Sequence, residues 1–175
     1  PWRNGGGITR ELVVWPEAQT WTWRMSVADI ACNGPFSRFE GIERWFAVLT
    51  GNGVQLDVGK HPSAAVHHLT PDGAPLGFAG DSPADCTLVD GGVLAFNLML
   101  RQGAAQGRML RIAGGHASIP VASKIIAVYA VSTGSSIHFD DEVLILAAHT
   151  LVWRECLAGS KVQVHAEQAL WIEIG

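Results

Sequence analysis

Basic residues never cluster in this chain. Its twelve Lys and Arg are scattered among sixteen Asp and Glu, for a formal charge of −4 over 175 residues. A nucleic-acid binder would need a basic patch or an aromatic–basic stripe, and neither is present, so no nucleic-acid partner is expected. No apolar run reaches the roughly 18 residues that suggest a membrane span, so no membrane partner is expected either. Cysteine is scarce and odd in number: Cys32, Cys86 and Cys156 lie far apart, with no CxxC pair. That excludes a disulfide framework and fits a reducing, cytoplasmic setting. No signal-peptide pattern is visible. The chain begins at Pro1 without Met, and further residues are expected before it. Long amphipathic helices are missing as well, because few stretches carry a 3.6-residue period. What remains is 48% apolar and only 16% charged, a compact composition with enough length to bury a real core.

Short alternating segments fill the chain, and the expected class is all-β. Ile8 to Trp15 is rich in β-branched residues and ends at Pro16, which predicts a strand. The three glycines before it, Gly5 to Gly7, precede no helix, so a phosphate loop is a poor fit. Asn4 and this glycine backbone are read instead as one wall of a pocket. Trp21 to Ile30 alternates, with Trp23, Met25 and Val27 on one face and Arg24, Ser26 and Ala28 on the other. The second face is small and polar enough to line a lumen, which raises Arg24 above an ordinary surface arginine. In Val93 to Arg101, Asn97, Met99 and Arg101 share a face. Residues 59–75 are turn-rich and read as a loop carrying His61, His67 and His68. A three-histidine metal site there lacks a carboxylate partner, so solvated histidines are expected.

The stretch from Gly34 to Gly51 organises the rest. It resembles the first motif of cupin barrels, G-x5-H-x-H-x3,4-E-x6-G, with Ser37 and Phe39 at the two His positions, Arg44 at the Glu and Gly51 closing. Gly77-Phe78-Ala79-Gly80 resembles the middle of the second motif, and no His follows near Pro83. Imidazoles and a carboxylate make a metal shell; a hydroxyl, a phenyl ring and a guanidinium do not. No metal and no cofactor are therefore expected. Arginine carries a permanent charge and five donors, which suit a carboxylate. The expectation is a cupin barrel whose metal site has become an anion site. Gly51-Asn52-Gly53 is expected to close a hairpin onto Val54 to Val58.

The second half repeats the first weakly: Val128 to Ile137 overlays Trp45 to Val54, and Ala127 falls opposite Arg44. Strands are expected at Glu142–Ala147, Leu151–Glu155, Lys161–His165 and Ala169–Ile174. The fold is thus expected to be a bicupin: an N-terminal barrel over 1–101 with the pocket, a Gly-rich connector over 102–118, and a C-terminal barrel over 119–175. The second barrel is read as structural or as a surface for a second copy of the chain. Trp15, Trp21 and Trp153 are read as core.

Pro1-Trp2-Arg3-Asn4-Gly5-Gly6-Gly7, Thr9-Arg10-Glu11, Trp23-Arg24-Met25-Ser26, Gly34-Pro35-Phe36-Ser37 and Asn97-Leu98-Met99 together resemble the HutD/Ves family. The resemblance implies a small cytoplasmic bicupin, tied to histidine utilisation on the HutD side and to stress response on the Ves side. It implies a small acidic ligand of the N-formylglutamate or urocanate type and a modulating, non-enzymatic role. The expected ligand-binding residues are Arg44, Arg24, Ser37, Phe36, Asn97, Met99 and Asn4, with no catalytic residue. Arg44 would hold a carboxylate, Ser37 and Asn97 would add hydrogen bonds, Phe36 and Met99 would wall the pocket, and Arg24 would take a second acidic group. Without a ligand, Arg44 is expected to hold an anion or an internal carboxylate such as Glu11. The alternatives are a cupin enzyme acting on a small organic acid, with Glu11 or a His as base, or a protein-interaction module with Trp-rich surfaces.

Overall fold

The computed structural model describes residues 6–60 and 62–175, and every regular element among them is a β-strand. The chain divides into two compact units, Pro1–Gln106 and Gly107–Gly175. The first holds β1 (Gly7–Trp15), β2 (Trp23–Ile30), β3 (Gly34–Pro35), β4 (Ile42–Thr50), β5 (Val54–Val58), β6 (Ala65–Leu69), β7 (Leu76–Ala79), β8 (Ala84–Leu88) and β9 (Val93–Arg101). Two antiparallel sheets form from them, a five-stranded one in the order β1-β2-β9-β4-β7 and a four-stranded one in the order β3-β8-β5-β6. Core residues come from both sheets: Ile30, Phe46 and Val93 from the first, Val54, Leu56 and Cys86 from the second, so the core lies between them. This is the two-sheet jelly-roll solution to burying one apolar face per sheet.

Several local expectations are corrected by this topology. Gly51 and Gly53 both have positive φ, 98° and 100°, but β4 and β5 belong to different sheets and do not pair. The turn is a corner between sheets, and a Cβ at Gly53 would stand 2.5 Å from the Leu69 carbonyl. The stretch 59–75 is not all loop, because Ala65–Leu69 pairs with β5 as the edge of the second sheet. His67 and His68 therefore lie on a strand, half-buried and exposed respectively, while His61 is outside the described residues.

The second unit contains β10 (Gly107–Ser118), β11 (Lys124–Ala130), β12 (Ser135–Phe139), β13 (Glu142–Leu146), β14 (Thr150–Cys156) and β15 (Val162–Ile174). They form one six-stranded sheet, β13-β12-β15-β11-β14 with β10 also on β15. Residues 107–118, expected as connector, are a twelve-residue strand running the length of β15. Small residues that look like linker in the sequence are tolerated here because β15 supplies a complete ladder of partners, with one bulge between Ile112 and Gly114. The two strands expected over Lys161–His165 and Ala169–Ile174 are likewise one, β15, running from Val162 to Ile174. No Gly or Pro interrupts Val162–Ile174, so nothing forces a break. The core of this unit contains Ile126, Val128, Val164 and Trp171, every one at least 97% buried. Among the described residues the buried tryptophans are Trp23 and Trp171; Trp15 is 44% exposed, and Trp21 and Trp153 are only half-buried.

Candidate functional site

A cavity of about 590 Å³ opens in the first unit, within the range of small-molecule sites. Its floor is built by strand register. Met99 on β9 pairs with Arg24 on β2 and with Arg44 on β4, and Asn97 pairs with Ser26 and Phe46 in the same way. Residues paired across an antiparallel ladder share a face, so two rows result, Arg24–Met99–Arg44 and Ser26–Asn97–Phe46. All six line the cavity. The segment between β3 and β4 adds Phe36, Ser37 and Phe39, and β1 adds Thr9 and Glu11.

Arg44 is only 6% exposed. Its Nη2 donates to Asn97 Oδ1 at 3.0 Å and its Nη1 to the Ser37 carbonyl at 3.3 Å. Its Nε is buried without a hydrogen-bond partner among the described residues. The guanidinium carbon lies 5.1 Å from the Phe36 ring centre, 5.2 Å from Phe78 and 5.8 Å from Phe39. Aromatic faces stabilise a cation but leave its charge uncompensated. Burial, and then the neighbouring charge of Arg24, push the Arg44 guanidinium down to about 10, so it remains a cation at neutral pH. No carboxylate among the described residues pairs with it. The expected internal partner, Glu11, lies instead 3.9 Å from Arg24 Nη1, because Glu11 pairs with Ser26 on β2, two strands from β4.

Arg24 is the less buried cation, and burial lowers its pKa while Glu11 raises it. Its Nε and Nη2 donate to Met99 Sδ at 3.3 and 3.0 Å, and its guanidinium packs on Trp21 and Phe39. Of the other residues expected to bind a ligand, Phe36, Ser37, Asn97 and Met99 line the cavity, and the Ser37 carbonyl accepts from Arg44. Arg101, on the same strand face, turns away to the Trp21 carbonyl. Asn4 is outside the described residues. Sequence reasoning did not assign Phe78 to the site. The signal was its position in the second cupin-like motif, and β7 brings it beside Arg44 by direct pairing.

Cupin folds suggest a metal, but the donor set here is not that of a metal shell. Among the described residues the lining offers a single carboxylate, Glu11, and no imidazole or thiolate, and no cluster of three metal-ligating side chains occurs among them. These donors do not fit a divalent cation. The arrangement can instead receive an anion on a desolvated, aromatic-walled guanidinium.

Comparison with known proteins agrees with this architecture. A Cupin 2 conserved barrel domain protein from Leptotrichia buccalis superposes with a TM-score of 0.55 at 10% identity, covering 97% of this chain and 88% of that one, which establishes the cupin fold alone. HutD from Pseudomonas fluorescens SBW25, solved in a formate condition, superposes with a TM-score of 0.83 at 29% identity, over 99% of this chain and 91% of that one. Protein Ves from Cronobacter sakazakii is 38% identical over 58% of this chain and 54% of its own length. An uncharacterised 21.2 kDa protein of the hutC 3′ region in Pseudomonas putida is 40% identical over 57% of this chain and 51% of its own length. The matches thus span about half the length of these curated relatives. The HutD family model extends over residues 1–172, through both units rather than the pocket-bearing one alone, and on that whole-length match the chain belongs to the HutD family.

Proposed function

We propose that this cupin binds a small carboxylic acid on Arg44, without a metal, and modulates histidine utilisation rather than catalysing a step of it. The observation that carries the reading is a buried guanidinium facing a cavity, with no carboxylate among the described residues paired to it, since Glu11 in the lining lies against Arg24. An unpaired buried charge is expensive. Proteins retain such a group where a ligand supplies the counter-charge, and charge-assisted pairs are about twice as strong as neutral hydrogen bonds. The walls favour a flat or short organic body: Phe36, Phe39 and Phe46 are aromatic, and Asn97 anchors the cation in place. A planar acid such as urocanate would use Arg44 alone, whereas N-formylglutamate would also engage Arg24. The hutC-region name of the Pseudomonas putida relative and the HutD name of the Pseudomonas fluorescens structure support the link to that pathway. The non-enzymatic reading rests on the cavity chemistry. Glu11 is the one carboxylate lining it among the described residues, and its side chain is 58% exposed, a poor setting for a general base.

A thermal-shift series with formate, urocanate and N-formylglutamate on wild type and Arg44→Ala tests this. An acid at 100 times its dissociation constant should stabilise wild type by roughly 2.7 kcal/mol and leave Arg44→Ala unmoved. Equal shifts in both proteins would refute the site, and consumption of the acid during incubation would refute the non-enzymatic role.

A further inference from the structure

We propose that Glu11 sets how many acidic groups the pocket accepts, acting as a built-in counter-ion on Arg24 that a ligand's second carboxylate must displace. This deepens the preceding reading and rests on it.

The two guanidiniums are placed by one row of the floor, with Met99 between them. Two strand spacings put their backbones about 10 Å apart, and both side chains reach the same cavity. A short diacid spans such a gap between converging side chains. Arg24 is held by weak partners. Two of its donors go to a thioether sulfur, a poor acceptor. The third nitrogen stands 3.9 Å from Glu11 Oε2, beyond hydrogen-bond distance. An incoming carboxylate therefore exchanges weak contacts for a charge-assisted pair.

Glu11 is built to be exchanged. Its side chain is 58% exposed, against 24% for Arg24, so turning into water costs it little desolvation. It sits on β1, the edge strand of its sheet, at a register shift between Glu11 and Val13, where a bulge re-aims side chains. With a monoacid on Arg44, Glu11 stays and balances Arg24. A diacid must push it out, so Glu11 handicaps diacids relative to monoacids and sets the selectivity between them.

The test compares glutarate with valerate, acids of equal chain length, by isothermal titration at pH 7 and low salt. Glu11→Gln should tighten glutarate about three- to tenfold while changing valerate less than twofold. On an Arg24→Gln background the same substitution should no longer separate the two acids. An unchanged glutarate-to-valerate ratio in Glu11→Gln, with both acids still dependent on Arg44, overturns the Glu11 proposal and leaves the pocket reading standing. If neither acid binds wild type, or Arg44→Ala binds both equally well, the pocket reading falls and the Glu11 proposal falls with it.

Discussion

Arg44 combines two opposed demands. Its charge is what a ligand would grip, and the same charge is costly in the empty pocket, where three phenyl rings and two neutral oxygens surround it. Replacing it with an apolar residue of similar length removes the buried cation but deprives Asn97 Oδ1 of its donor, a loss of about 1–3 kcal/mol. Relief of the lone charge offsets much of that. Arg44→Met should therefore change the unfolding free energy of the ligand-free protein by no more than about 1 kcal/mol, measured in urea, while abolishing anion binding. The pH dependence follows from the same residue. Its guanidinium is charged below about 10, so affinity for a carboxylate should be flat up to that point. Above it, binding must take up a proton, and affinity should fall by up to about tenfold per pH unit, which titration calorimetry from pH 8 to 11 would follow. The charge at position 44 was legible in the sequence, since the residue stands where a cupin-like motif has its carboxylate. The pairing of Glu11 was not, because an internal partner is chosen by strand order, and β2 and β9 come between β1 and β4.

Strand β4 carries the site only because β7 and the segment before β4 lock onto it. Gly80 N donates to the Ile42 carbonyl at 2.7 Å, and the Gly80 carbonyl accepts from Phe39 N at 2.8 Å. A Cβ on Gly80 would stand 2.8 Å from the Ile42 carbonyl oxygen and 2.9 Å from that of Phe39. Both obstacles are backbone and cannot rotate aside. Gly80→Ala should destabilise by about 1–3 kcal/mol and weaken anion binding as well, since Phe39 flanks both arginines. Paired chemical-denaturation and titration measurements would show both losses. Gly91→Ala is the control, at a turn where an added Cβ meets no atom within 4 Å and only the positive φ of 72° is strained; it should leave binding intact. Elements with clear alternation, such as β2 and β9, were legible because the two-residue period is local. Strand β10 was not, because Met109, Leu110 and Ile112 sit among Gly and Ala without a sustained two-residue alternation, and its state depends on β15 some fifty residues later.

Across the whole chain, the two units differ in how they use buried charge. The first leaves its buried cation open to a cavity. The second closes its buried carboxylate: Glu173, 6% exposed, accepts from Trp171 Nε1, Arg108 Nη2 and Lys124 Nζ, each at 3.0 Å. Burial alone would raise its pKa, but these three donors outweigh it and bring the carboxyl down to about 2. A carboxylate held below its ordinary value stabilises the fold above about 4.5, and that contribution is lost as pH falls toward about 2. Glu173→Gln should cost about 1–3 kcal/mol at neutral pH and flatten the decline in melting temperature between pH 4.5 and 2, as read by differential scanning calorimetry. The weak internal repeat was visible in the sequence, but this difference was not. Ala127 opposite Arg44 shows the loss of one charge in the sequence; the buried Glu173 network depends on Arg108, on a strand whose Gly-rich sequence looks like connector.

From the amino-acid order alone come the all-β class, the alternation that puts Arg24 with Ser26 on one face of a strand and Asn97 with Met99 on one face of another, and a guanidinium where a metal-binding carboxylate would stand. These are local properties, set by period, side-chain chemistry and turn residues within a few positions. Tertiary structure decided that Arg44 has no carboxylate partner among the described residues, that Glu11 answers to Arg24, that Phe78 closes the cage and that β10 is a strand. Each of these depends on which strands become neighbours and in what register, and those choices are made by packing two sheets over a shared core.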